Sequence, residues 1–204
     1  MDPGSHKNKE RCQQVKEKTL VVLKPDCVSR GIVGEIITRF EKVGLKIVAM
    51  KMLFAKKEQL EEHYYKDDKW LIEKGRGMIK NKGYPEDYDL KKAGQEIVDG
   101  LVQDMMILPV IAMVLEGHNA VNVVRKICGP TNVEEAQPGT IRGDYSHDTY
   151  SLANVSDRPI LTIIHASGDL KDAEKEIKIW FNLNEIYSYE KADEKIHYRK
   201  GSLN

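Results

Sequence analysis

Four short apolar, β-rich runs limit what this chain can fold into. They are Thr19–Lys24 (TLVVLK), Leu45–Phe54 (LKIVAMKMLF), Pro109–Leu115 (PVIAMVL) and Ile160–His165 (ILTIIH). None approaches the length of a membrane span, so no transmembrane helix and no membrane partner is expected. The first run is almost unbrokenly apolar and is stopped by Pro25-Asp26, the pattern of a strand buried on both faces. Between the runs the period changes to that of a helix. Val33, Ile36, Ile37, Phe40 and Val43 precede a stop at Gly44, and Val121, Val124 and Cys128 share one face of 120–128. Lys57–Tyr65 is Glu-rich and helical, and Leu170–Phe181 turns Ala173, Ile177 and Trp180/Phe181 inward. The order β-α-β-α, then β-α-loop-β-α, predicts an α/β sandwich, one sheet covered by helices.

At 204 residues the chain is long enough for a single domain with a core that needs no disulfides. Residues 1–18 are polar, lack the apolar stretch of a secretory signal, and are expected to be a disordered arm. The domain is expected over 19–198, with a flexible tail at 199–204. Asp67–Met106 breaks the β-α rhythm. Two helical patterns (Trp70, Ile72, Met78 and Ile79; then Ile97, Leu101 and Met105) flank the turn-rich Gly83-Tyr84-Pro85-Glu86-Asp87, so a helical insert is expected at about 67–100. Thirty-two Lys and Arg balance 32 Asp and Glu, which excludes a generally basic surface for nucleic acid. Cys12, Cys27 and Cys128 are odd in number and show no CxxC spacing. They read as reduced thiols, which implies a cytoplasmic protein.

Unusual polar groups gather in four stretches: Leu23-Lys24-Pro25-Asp26, Arg125 with Gly129–Asn132, Pro138–Asp144 (PGTIRGD), and Ile164-His165-Ala166-Ser167. The last two lie in or beyond 129–149, a long segment without periodicity, and such segments are usually functional. A lysine, two arginines, a threonine and a histidine are what phosphoryl transfer requires. Cations hold polyphosphate oxygens, with bidentate geometry from Arg. A neutral imidazole near pH 7 is a competent nucleophile.

Taken in order, these stretches resemble the nucleoside diphosphate kinase family. KPDxVxRGxVGxIIxRFExxGxxIV at 24–48, EHY at 62–64, VRKICGxTN at 124–132, PGTIRGD at 138–144, IHAS at 164–167 and AEKEIxxWF at 173–181 carry the likeness. It implies a ferredoxin-like four-stranded antiparallel sheet covered by helices. It also implies a phosphotransferase that moves the γ-phosphoryl group of a nucleoside triphosphate to a nucleoside diphosphate by a ping-pong route. The insert resembles a longer-loop branch of the family.

The resemblance assigns roles residue by residue. His165 is the nucleophile that becomes phosphohistidine, and Glu176 orients its ring. Lys24 meets the γ-phosphate, Tyr64 positions the histidine and the transferring phosphate, and Ser167 lies beside the nucleophile. Arg125, Thr131 and Arg142 clamp the β- and γ-phosphates. Thr162 stands where the family usually has the Asn that binds the sugar hydroxyl and phosphates. Mg²⁺ is expected to arrive on the nucleotide and not in a protein cage. A homo-oligomer is implied, a hexamer or a tetramer built from one dimer. Gly168 stands where Asp is frequent, so either the next helix starts one residue later or Asp169 acts as its N-cap. Trp70 and Ile97 are the two candidates for stacking on the base, and the insert is placed to extend a lid over it or to meet another subunit. His63, His118, His147 and His197 read as incidental. The alternative class is a nucleotide-binding regulatory relative with weak or no turnover.

Overall fold

The structure, a computed structural model, describes residues 16–82, 85 and 87–199. The proposed arm therefore lies outside the described residues up to position 15. So do Cys12, much of the turn at 83–86, and the tail from 200. In chain order the elements are β1 (Lys16–Leu23), α1 (Pro25–Ser29), α2 (Val33–Lys42), β2 (Lys46–Leu53), α3 (Lys57–His63), α4 (Asp68–Lys82) and α5 (Leu90–Met106). They continue with β3 (Val110–His118), α6 (Ala120–Cys128), α7 (Ile141–Tyr145), α8 (Tyr150–Val155), β4 (Ile164–Ala166), α9 (Leu170–Trp180) and α10 (Glu194–His197). The strands form one sheet in the order β2-β3-β1-β4, every neighbouring pair antiparallel.

β1 runs through the middle of this sheet, and its apolar run follows from that place. Alternate residues face opposite sides of a strand. Leu20 and Val22 join Leu60 of α3, Val98, Val102 and Met105 of α5, and Ile177 and Trp180 of α9. Val21 and Leu23 join Ile36 and Phe40 of α2 and Val124 of α6. Both faces are covered, so no position from Leu20 to Leu23 can be polar. β1 begins at Lys16, pairing with His118, so residues 16–18 belong to the sheet and not to an arm.

β4 is shorter than expected. Ile160–His165 reads as a strand, but only Ile164–Ala166 pairs, because Ile163 takes a left-handed backbone (φ 67°) that an extended ladder does not accommodate. Val43, expected on the inner face of its helix, is half exposed at the end of α2.

The insert is a helical hairpin joined directly to the core. α4 and α5 cross so closely that a Cβ on Gly75 would lie 1.8 Å from the Leu90 carbonyl oxygen, and one on Gly94 would lie 2.1 Å from that of Leu71. Only glycine permits this approach, which explains two helix-weakening residues inside helices. Asp89 caps α5 by accepting from the amides of Lys91 and Lys92. α5 is in the core from Val98 onward and carries Leu101, so the insert and part of the site's wall share one helix.

After α9 the chain runs back along the outer edge of β2. The Tyr187 amide donates to the Val48 carbonyl (2.8 Å), at a bulge where the register with β3 shifts. The Tyr189 hydroxyl reaches the Ile47 carbonyl (2.9 Å), and the Lys191 ammonium that of Gly44 (3.1 Å).

Candidate active site

A cleft of about 190 Å³ opens where β1 ends beside β4. Its wall includes Lys24, Tyr64, Arg125, Thr131, Arg142, Thr162 and His165, with Leu101, Cys128 and Gly129. Seven positions singled out in the sequence thus meet around one space. Two others, Ser167 and Glu176, stand behind it. Among the described residues no carboxylate lines the cleft, while two arginines and a lysine do. That balance suits a polyanion.

His165 lies on β4 opposite Val22. Its Nε2 is 3.0 Å from Glu176 Oε2, and the Ser167 hydroxyl donates to the same oxygen at 2.7 Å. The Leu20 amide donates to the Ser167 oxygen at 3.2 Å. Burial pushes the Glu176 carboxyl up, but the bond from His165, the nearby imidazoles and the bond from Ser167 outweigh it and hold it below the usual range. An ionised carboxylate only accepts, so Nε2 carries a proton, and in the neutral ring the lone pair is then on Nδ1. Ser167 is fully buried, its hydroxyl on the same carboxylate that holds His165, and it stands behind the residues that line the cleft.

Arg142 also does more than line the space. Its Nε donates to the Thr162 carbonyl (3.2 Å), one terminal nitrogen to that of Gly129 (2.5 Å) and the other to that of Ile164 (2.7 Å). Three of its five N–H groups hold backbone, and two remain for a ligand. Gly129 lets this happen: its φ is 78°, and a Cβ there would lie 2.7 Å from the Thr140 hydroxyl oxygen. α6 and α7 therefore close on each other and bring Arg125 and Arg142 to one side. Thr140 caps α7 by accepting from the Gly143 amide.

Ile163 shapes the floor. The Ile164 amide bonds to the Thr162 carbonyl (2.6 Å), closing a three-residue turn around Ile163. The Lys24 amide donates to the Ile163 carbonyl (2.9 Å), and the Ile163 amide donates to Asp26 Oδ2 (2.8 Å). Lys24 itself is nearly inaccessible, and burial pushes its ammonium below its ordinary value against the attraction of Asp26 and Asp104. The Tyr64 hydroxyl is buried without a hydrogen-bond partner, and burial raises its phenol.

His63 is not incidental. Its ring packs edge-to-face on His165 with centroids 4.4 Å apart, and the Trp180 indole donates to its Nδ1 at 3.2 Å. Burial, then the neighbouring His165, drives it down to about 3, so it is neutral. His63, His165 and Glu176 place ligand-type atoms within 4.8 Å of one another. The Trp180 bond leaves the His63 proton on Nε2, so neither nitrogen offers a free lone pair to a metal. His63 is separated from His165 by a hundred residues of chain, so spacing could not reveal the contact. Only its place beside Tyr64 hinted at it.

Neither candidate for base stacking lines the cleft. Trp70 is partly buried against the core under Lys66, and Leu101, one helical turn past Ile97, lines the cleft. Asp169 caps α9 by accepting from the Asp172 amide (2.8 Å), so the extra Gly168 is absorbed before the helix starts.

Comparison with known proteins bears on the family and the fold. The family model described as nucleoside diphosphate kinase matches residues 17–72 and 72–186. A nucleoside diphosphate kinase of Pyrobaculum aerophilum is 45% identical over 180 residues, covering 83% of this chain and 97% of the relative. The crystal structure of an NDP kinase from that organism superposes with a TM-score of 0.80 at 42% identity, over 85% of this chain and 100% of the other. A Borrelia burgdorferi nucleoside-diphosphate kinase, solved as a transition state mimic with vanadate and ADP, gives 0.75 at 36% identity, over 91% of this chain and 98% of the other.

Proposed function

The chain belongs to the nucleoside diphosphate kinase family, and on that premise we propose that His165 carries the phosphoryl group between two nucleotides. The observation that supports this most directly is the bond between His165 and Glu176 at the wall of a cationic cleft: ionised Glu176 holds Nε2–H, and in the neutral ring the lone pair is then on Nδ1. Nδ1 attacks the γ-phosphorus in line. The bond from phosphorus to the bridging oxygen breaks, and the nucleoside diphosphate leaves with that electron pair. A second diphosphate enters the same cleft and takes the phosphoryl group by the reverse step. Glu176 stabilises positive charge on the ring, and Ser167 steadies Glu176.

Lys24, Arg125 and Arg142 neutralise the phosphates, and Thr131, Tyr64 and Thr162 donate hydrogen bonds to them or to the sugar. The protein supplies position and charge. Mg²⁺ enters as part of the substrate. It prefers phosphate and water oxygens to a dedicated cage, and a cleft wall without carboxylates is consistent with that. Leu101, just past the insert on the same helix, offers the base an aliphatic surface, which favours broad acceptance of bases and places the insert beside the lid. Reduced buried Cys27 and Cys128 accord with a cytoplasmic setting. Assembly with further copies is supported by Met50 and Met52 of the edge strand β2 and Phe54 just beyond it, which stand 53%, 60% and 65% exposed.

Incubation with γ-labelled ATP tests the reading. An acid-labile, base-stable phosphoenzyme that is discharged by added diphosphate is the expected result. Nucleotide binding with no phosphoenzyme would instead indicate a regulatory protein. Light scattering on the same preparation measures the assembly.

A further inference from the structure

We propose that Asp26 is a positioning residue: its carboxylate holds Ile163 in the left-handed turn that aims Thr162 and His165 into the cleft. A β-branched residue at φ 67° is strongly disfavoured and persists only where its surroundings impose it. Left alone, ILTIIH would extend as its composition predicts. The alternation of faces along a strand would then change which side Thr162 presents relative to His165.

Groups on three sides oppose that relaxation. Arg142 takes the carbonyls of Thr162 and Ile164. The Lys24 amide takes the carbonyl of Ile163. Asp26 alone takes the amide of the strained residue, with Oδ2, while its Oδ1 accepts from the Cys27 amide at 3.1 Å. The hook is preset. Pro25 fixes its own φ at the start of α1 and keeps Lys24 extended (φ −79°, ψ 169°), so Lys24 and Asp26 face the turn together. Lys-Pro-Asp is thus a backbone clamp as well as the carrier of a cleft lysine.

The inference rests on the phosphoryl-transfer reading for its rate measurement only. Asp26→Ala, Asp26→Asn, Ile163→Gly and the Asp26→Ala/Ile163→Gly pair are compared. The readouts are phosphoenzyme formation at saturating ATP, ADP affinity, and hydrogen exchange of the residue-163 amide by NMR. Asp26→Ala is expected to slow phosphorylation about 10- to 100-fold, the loss of a bond to a charged acceptor, with ADP affinity changed only a few-fold and faster amide exchange. Asp26→Asn keeps an acceptor oxygen and stays within a few-fold of the unaltered protein. Adding Ile163→Gly to Asp26→Ala removes the left-handed penalty and recovers about tenfold. If Asp26→Ala does not fold, Asp26→Ser takes its place with the same expectations. Equal losses for Asn and Ala would overturn the proposal in favour of a charge effect on Lys24, and so would absence of any recovery with glycine. If the unaltered protein forms no phosphoenzyme, the transfer reading fails, and amide exchange alone judges the clamp.

Discussion

Lys24 and Lys46 are both nearly inaccessible, 6% and 5% exposed, and lie at opposite ends of the sheet. Lys46, at the start of β2, donates to Glu116 at 2.7 Å, Glu194 at 3.0 Å and the Tyr189 carbonyl at 2.7 Å. All three of its protons are used. Burial pulls its pKa down, but the two carboxylates more than restore it, and the net shift is upward. Lys24 makes no ion pair among the described residues, and its net shift is downward. One end of the sheet completes its own electrostatics. The other is left incomplete, and a polyphosphate would complete it. Burial alone therefore does not mark a lysine as functional; burial without a partner beside a cleft does.

Substitutions sharpen this contrast. His165→Ala has the largest effect, because it removes the phosphoryl acceptor. No phosphoenzyme should form, while ADP affinity by calorimetry stays within a few-fold. Detectable transfer in that variant would break the mechanism.

Lys46→Met comes next, at the self-sufficient end. Removing one partner of a buried ion pair costs about 3–5 kcal/mol. Lys18 still reaches Glu116 and Lys16 still reaches Glu194, so the lower end, about 3 kcal/mol, is expected in denaturant titration, with kcat unchanged.

Lys24→Met should go the other way. Its folded pKa lies below 10.5, so between the two values the unfolded chain holds the extra proton. The penalty is fully present below the folded pKa and shrinks as pH rises toward 10.5. The variant should gain about 1 kcal/mol of stability at pH 7, lose that rise with pH, and bind ATP poorly. A destabilised Lys24→Met would show that Asp26 and Asp104 already satisfy the lysine.

Tyr64→Phe is the smallest. It deletes a buried hydroxyl with no partner, so stability should change by less than about 1 kcal/mol, upward if at all, while the phosphorylation rate falls.

What was legible in the sequence follows the range of the interactions. β1, α2 and α9 could be read because burial writes a local period. Lys24, Arg125, Thr131, Arg142 and His165 could be named because each sits in a short motif. Leu101 could not be separated from Ile97, since both lie on a periodic helix and only the crossing with α4 decides which faces the cleft. His63 and Asp26 act on residues more than a hundred positions away, through an edge contact and a single backbone bond. The strand expected at Ile160–His165 failed for the same reason: its composition favours extension, and tertiary bonds override it.

The segment lying along β2 has a consequence for behaviour at high concentration. A free strand edge is a template on which chains can add without limit. Here the carbonyls of Gly44, Ile47 and Val48 are already taken by the chain's own Lys191, Tyr189 and Tyr187. Only the stretch toward Phe54 is left without such cover, so the chain itself blunts this edge against open-ended addition of further strands.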